Sequence, residues 1–145
     1  MVKEADGSIA YKTNGYQYKS DKFGRIIESG GTLRLEQGIR NPNAQLSAGG
    51  VDRLITDHGS HLIGTRFGGS GNLDNLVAGD SNLNLSAYKK LENILAQALK
   101  DGKSVTVNIQ PKYEGTSLRP SKLDIKYSID NEKFSDVLLN KSGSK

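Results

Sequence analysis

The two histidines of the chain, His58 and His61, lie three residues apart in Asp57-His58-Gly59-Ser60-His61-Leu62-Ile63-Gly64-Thr65-Arg66-Phe67-Gly68-Gly69. A neutral imidazole is well suited to taking a proton from water. Phosphodiester hydrolysis also needs positive charge on the non-bridging and leaving oxygens, and a hard cation such as Mg²⁺ supplies it through few oxygen ligands and several retained waters. Beyond the glycines, Asn72, Asn75, Asn82 and Asn84 crowd the path to a helix. Asparagines gather in loops because they tolerate turn geometry. Asn84 differs by position, since it directly precedes a rigid element of the kind a site requires. Glu92, at the margin of that helix's apolar face, is either a surface charge or a partner for metal-bound water. A histidine beside Leu62-Ile63 is, on base rates, more often structural than catalytic, but Gly59-Ser60 lets the backbone turn and leaves His61 at a strand edge.

Arg66 is a candidate for holding phosphate or developing charge, because guanidinium groups bridge phosphate oxygens. Its five-residue step from His61 would put it on the opposite face of a regular strand, unless Gly64 and Gly68 break that regularity. Arg34, Arg40, Arg53, Lys89 and Lys90 are generic candidates for backbone contacts, each more ordinarily a solvated charge. Other chemistries are excluded. Phe67 to Gly71 lacks the Gly-Lys-Ser/Thr of a phosphate-binding loop. Asp57, His58 and His61 fall one ligand short of a zinc site. No Gly-x-Ser-x-Gly elbow is present, and without cysteine there is no thiolate nucleophile or disulfide.

These residues need a scaffold. Tyr11 to Ser20 alternates around an Asn14-Gly15 turn, and Arg25–Glu28 is its return strand. Gly30-Gly31 is expected to break the chain before a half-buried strand, Thr32 to Glu36. Asn41 to Gly50 reads as a loop. Leu54–Thr56 and His61–Ile63 are apolar pieces either side of a turn at Asp57–Ser60, and Phe67 to Gly71 is expected to be mobile. Ser86 is the expected N-cap of a helix from Ala87 to about Lys100, with Tyr88, Leu91, Leu95, Ala98 and Leu99 on one face. Lys103 to Tyr113 and a segment from Leu123 to about Asp130 complete the strands. Residues 1–10 and 131–145 are expected to be flexible ends.

A chain of 145 residues fits one domain, and 34% hydrophobic residues with 17 glycines predict a modest core with long loops. Twenty Lys+Arg against 16 Asp+Glu give a net charge of +4, a mild bias toward polyanionic partners. No apolar run approaches a membrane span, and the N-terminus lacks the apolar core of a signal peptide, so export is expected to be directed from a longer parent chain.

Several ordered motifs resemble the DNA/RNA non-specific endonucleases with a His-Me finger (ββα-metal) centre, over Tyr16 to Tyr127. They are Asn14-Gly15-Tyr16-Gln17-Tyr18, Gly31-Thr32-Leu33-Arg34-Leu35, His61 through Gly69, Asn75-Leu76-Val77, Asn82-Leu83-Asn84 and Tyr88 through Asn93, extended by Lys112 through Gly115 and Arg119-Pro120. The likeness is greatest to C-terminal toxin domains of bacterial secreted proteins, including staphylococcal type VII secreted nuclease toxins. It implies an α+β fold with a mixed, mainly antiparallel sheet around the ββα-metal core. It further implies His61 as base, Asn84 as metal ligand, Asn75 as a second site asparagine and Glu92 ordering metal-bound water. Mg²⁺, or another divalent cation such as Mn²⁺, is the implied cofactor. DNA, or RNA, is the implied substrate, cut to leave 5′-phosphate ends. A cognate immunity protein, secretion within a longer toxin and action in the target-cell cytoplasm follow from the same resemblance. The family places an aspartate three residues before its base; here His58 fills that slot and Asp57 lies one step earlier. His58 is therefore a rival base or a substrate contact, and Asp57, His58, Arg66 and Lys89 are the substrate-binding candidates. The competing reading is a binding module of the same fold that has lost catalysis.

Overall fold

Alternating apolar and polar residues put most of the chain into strands. The computed structural model describes residues 2–3, 7–38, 40–81 and 86–140. Its strands are β1 (Val2–Lys3), β2 (Ile9–Thr13), β3 (Tyr16–Ser20), β4 (Ile26–Thr32), β5 (Asp57–His61), β6 (Leu76–Asp80), β7 (Val105–Lys112), β8 (Lys122–Ile129) and β9 (Glu132–Leu139). Two α-helices are described in full, α1 (Pro42–Ser47) and α2 (Tyr88–Lys100). Seven strands form one sheet in the order β1-β2-β3-β4-β7-β8-β9, and β5 pairs with β6 alone. The fold is α+β as expected, and all the strand pairings described are antiparallel. An isolated parallel bridge joins Glu36 to Phe67.

The β5–β6 hairpin followed by α2 makes the ββα unit, and the large sheet backs it. Tyr88, Leu91, Leu95 and Ala98 of α2 are buried at the spacing an amphipathic helix requires. They join Val105, Val107 and Ile109 of β7 and Leu123 and Ile125 of β8 in the main core. Ser86 does not cap this helix. Residues 86 and 87 are already wound in a wide, π-type turn, and Ala87 has helical angles (φ −59°, ψ −46°) with no side-chain cap. A residue already inside the winding has no free helix end to cap.

Asn14 and Gly15, both at positive φ, form the two-residue turn between β2 and β3. Other expectations need correction. Gly30 and Gly31 continue β4 rather than break it: at Gly31 (φ +148°) a Cβ would meet the Tyr16 ring at 2.8 Å, so the missing side chain makes room for that tyrosine. Leu33 to Glu36 is no regular strand; Leu33 is buried and holds the sheet through Leu33 N–H to Val105 O at 2.8 Å, whereas Leu35 is exposed. Asn41 to Gly50 is not a loop. Asn41 caps α1 by accepting the Ala44 N–H at 3.1 Å, with Pro42 in the first turn.

Asp57–Ser60 is not a turn but most of β5, paired residue by residue with β6 from Asp57–Asp80 to His61–Leu76. Leu54 and Ile55, from one of the two apolar pieces, point to solvent. The C-terminal stretch is not frayed over residues 132–139, since β9 pairs along its length with β8 through a turn at Asp130 and Asn131, both at positive φ. At the other end Val2 and Lys3 pair with β2.

Candidate active site

His61 ends β5, and the chain then loops from Leu62 to Asn75 before returning as β6. This loop was expected to be mobile at Phe67–Gly71, yet Phe67, Gly68 and Gly69 are buried and it is tied down along its length. The Tyr88 hydroxyl donates to Leu62 O, and the Tyr16 hydroxyl donates to Phe67 O at 2.5 Å. Asn14 Nδ2 donates to Gly68 O at 3.0 Å, and the Ser70 N–H donates to the Tyr18 hydroxyl at 3.0 Å. Tyr11 and Ser70 both donate to the Asp74 carboxylate. Four tyrosines from β2, β3 and α2 therefore fix the backbone that follows the histidine.

Asn75 is the innermost of these ties. Its amide is fully buried, accepting the Ile63 N–H at 2.9 Å and donating to Ile63 O at 2.7 Å and Ser70 O at 2.8 Å. It stands behind the site, not in it, and holds the turn on which His61 is presented. Asp57 is likewise drawn away. Its buried carboxylate takes a bidentate pair from Arg119 (Nε to Oδ2 2.7 Å, NH2 to Oδ1 2.9 Å) and the Leu54 N–H at 2.9 Å. Burial would raise its pKa, but the Arg119 and Leu54 hydrogen bonds with the Arg119 and Arg53 charges outweigh that and hold it below the usual carboxylate range. With its side chain fully buried against Arg119, Asp57 does not line the cleft.

A cleft of about 770 Å³ opens over the end of β5. Among its lining residues are Arg40, His58, His61, Gly64, Arg66, Lys89 and Glu92. The structure thus gathers His61, His58, Arg66, Lys89 and Glu92 in one place and leaves Asp57 and Asn75 outside it. Asn84 and Asn82 lie outside the described residues. The objection from strand parity to Arg66 is removed because β5 stops at His61 and Arg66 belongs to the turn beyond it. Its guanidinium donates to Asn93 Oδ1 of α2 at 2.8 Å and lies 5.7 Å from the Phe67 ring centre.

His61 is buried, and its Nε2 has no hydrogen-bond partner among the described residues. Desolvation, reinforced by the charge of Arg40, lowers its pKa from 6.5 to about 4. The imidazole is therefore neutral at physiological pH, with a lone pair available. Glu92 reaches from α2 toward Gly64 so closely that a Cβ at that glycine would lie 2.3 Å from Glu92 Oε2. Burial raises the Glu92 pKa to about 7, against the lowering pull of Arg66, Arg40 and Lys89.

These groups fit a hydrated hard cation. Among the described residues no three His, Cys, Asp or Glu side chains cluster as metal ligands, so a closed, fully protein-ligated centre is not built there. A buried imidazole without a partner among the described residues and a carboxylate near its titration point, both lining one open cleft, are what a cation keeping most of its waters would meet. Arg40 was only a generic candidate from sequence, yet its charge reaches both His61 and Glu92. The signal that could have found it is Asn41-Pro42, which marks the start of α1 and so places Arg40 at the rim.

The arrangement of sheet, hairpin and helix is that of known nucleases. NucA from Streptococcus agalactiae with no metal bound superposes with a TM-score of 0.74 at 18% identity, covering 92% of this chain and 72% of that one. Its magnesium-bound form gives 0.74, again at 18% identity, over 94% and 73%. Sda1 nuclease with bound zinc ion gives 0.65 at 17% identity, over 83% and 71%. At these identities the likeness is one of fold. In sequence, residues 7–131 match the DNA/RNA non-specific endonuclease family, and the chain belongs to it. Type VII secretion system protein EssD of Staphylococcus aureus (strain USA300) is 39% identical over 147 residues, 96% of this chain and 24% of that protein. The homologue in strain NCTC 8325 matches equally. The chain spans about a quarter of the length of these curated relatives.

Proposed function

We propose that residues 1–145 form one nuclease domain that hydrolyses DNA, or RNA, with a divalent cation, and that it is the toxic part of a longer antibacterial protein. The observation that carries this is His61: a neutral imidazole lining a cleft walled by Arg40, Arg66 and Lys89, its buried Nε2 without a partner among the described residues. In this reading Nε2 takes a proton from the attacking water. A phosphate entering the cleft offsets the Arg40 charge and raises the proton affinity of the imidazole, so the base strengthens when substrate is present. Arg66 and Lys89 hold phosphate oxygens, with His58 a further substrate contact on the outer wall. Glu92 orients water of the metal shell, Asn84 holds the metal, and Asn75 keeps His61 in place. Mg²⁺, with Mn²⁺ as the alternative, supplies positive charge to the phosphate and to the leaving 3′-oxygen when bound. Contacts of this kind read phosphates, which carry no base sequence, so cutting is non-specific.

The name of the 39% identical relatives supports export by a type VII system. Delivery into the cytoplasm of a target cell, and a cognate immunity protein that masks the cleft in the producer, complete the proposal. Purified protein incubated with plasmid and Mg²⁺ tests the enzymatic part. Degradation that stops in EDTA and is absent from a folded His61→Ala variant is the expected result. Cutting that persists in chelator removes the metal from the mechanism, and plasmid bound but uncut leaves a binding module.

A further inference from the structure

Beyond the cleft, the segment from α1 to β5 exposes an unusual run of large aliphatic side chains. Leu46, 71% exposed, lines the cleft itself. Val51, Leu54 and Ile55 follow at 92%, 51% and 102% exposure. This turn is not loose. Arg53 donates to Gln45 O at 2.6 Å, Ala48 O at 3.3 Å and Asp57 O at 3.1 Å. Asp52 Oδ2 accepts the Leu118 N–H at 2.7 Å, and Asp57 Oδ2 accepts the Leu54 N–H at 2.9 Å. A turn braced at both ends presents its apolar tips without the ordering cost a floppy loop would incur on binding.

Resting on the nuclease reading for what lies in the cleft, we infer that the Val51–Ile55 turn is an aliphatic wedge that enters a nucleic-acid duplex beside the scissile phosphate. Continuity and charge favour this occupant. The turn adjoins a cleft carrying Arg40, Arg53, Arg66 and Lys89 against one carboxylate, Glu92, which suits a polyanion. Side-chain type then separates duplex from single strand. Unpaired bases are gripped mainly by stacking on broad aromatic faces, and among the described residues the cleft is lined by no Phe, Tyr or Trp, its only aromatic rings being the buried His61 and the His58 imidazole. Branched aliphatic side chains instead part adjacent base steps of a duplex and bend it. The enzyme would therefore grip double-stranded substrate through the wedge and the phosphate through the cleft.

The test is the triple variant Val51→Ser, Leu54→Ser, Ile55→Ser, all solvent-facing, with circular dichroism and the unfolding midpoint confirming an intact fold. A labelled duplex and the single strand of the same sequence are cut by parent and variant with Mg²⁺. We expect duplex cutting to fall by at least about tenfold, a factor worth about 1.4 kcal/mol, with single-strand cutting unchanged. In a His61→Ala background, a duplex carrying 2-aminopurine should brighten on binding with the wedge present and not with the triple variant. Equal loss on both substrates, or no loss on either, overturns the wedge; the second outcome assigns the apolar turn to a protein partner. If the parent cuts neither substrate, the nuclease reading fails, and the 2-aminopurine signal still decides whether a duplex is wedged.

Discussion

Asn75 closes both backbone hydrogen bonds of Ile63, twelve residues away: Oδ1 accepts the Ile63 N–H at 2.9 Å and Nδ2 donates to Ile63 O at 2.7 Å. A strand neighbour would ordinarily satisfy those groups. Here one carboxamide does so, which lets the chain leave β5 immediately after His61 and turn back over it. The catalytic candidate thereby sits at the last paired position of a two-stranded ribbon, where its imidazole faces the cleft while its backbone remains fixed.

Replacing Asn75 with alanine should therefore do two things. It strands a buried donor and acceptor of Ile63 and a carbonyl of Ser70, at about 1–3 kcal/mol for each unsatisfied group. The urea midpoint should drop by an amount corresponding to several kcal/mol. Plasmid cutting at low temperature, where the variant remains folded, should also fall because His61 is no longer seated. A variant that is destabilised but cuts at the parental rate would show that the tie serves stability alone.

Gly64→Ala probes the other side of the same turn. The new methyl would meet Glu92 Oε2 at 2.3 Å, so the carboxylate has to swing away from the turn. Misplacing a catalytic group by about 1 Å can cost about 10²-fold. The expected outcome is a large loss of cutting with little change in unfolding midpoint. If the effect passes through Glu92, then Gly64→Ala should add almost nothing in a Glu92→Ala background. Additive losses in that cycle would separate the two residues.

Where the sequence carried a period, it revealed the fold. Val105, Val107 and Ile109, then Leu123 and Ile125, alternate because one face of each strand meets α2, and α2 shows its stripe for the reciprocal reason. Where burial was absent or two-sided the pattern vanished. β9 is a largely exposed edge strand whose inner face is interrupted by Asp136 between Phe134 and Leu138, and β6 (Leu76-Val77-Ala78-Gly79-Asp80) is buried throughout and so does not alternate. Asp57-His58-Gly59-Ser60-His61 looks like a turn because its composition is polar. It is a strand because Asp57 is paired with Arg119 and because Gly59 admits the backbone of α1, where a Cβ would lie 2.3 Å from Gln45 O. Both partners are distant in the chain. For the same reason the cleft lining of His61, Arg66, Lys89 and Glu92 could be proposed from types and spacing, whereas the withdrawal of Asp57 and Asn75 from it required knowledge of Arg119 and Ile63.

The Asp57–Arg119 pair yields a separate prediction. The Asp57 side chain is fully buried, so Arg119→Leu leaves a carboxylate without its counter-ion. Breaking a buried pair in this way costs about 3–5 kcal/mol, whereas removing both charges is far milder. Arg119→Leu should be strongly destabilised in urea, and Asp57→Asn combined with Arg119→Leu should recover much of the loss. A double variant no more stable than the single one would contradict the pairing as its cause.

The two shifted groups of the cleft predict a pH dependence in which they oppose one another. His61 has a folded pKa of about 4 against an ordinary 6.5, so the unfolded chain takes up the proton first and stability falls as pH drops from 6.5 toward 4. Glu92 has a folded pKa of about 7 against an ordinary 4.5, so the unfolded chain releases the proton first and stability falls as pH rises from 4.5 toward 7. Each shift is worth at most about 3 kcal/mol. Between pH 4.5 and 6.5 the slopes cancel, and Asp57, already ionised, adds none. The parent protein, measured without metal, should therefore show a nearly level urea midpoint across that window. His61→Ala should become less stable with rising pH, and Glu92→Gln more stable. A single sign of slope shared by both variants would mean that burial does not shift these groups in opposite directions, and with it would go the neutral base on which the proposed function rests.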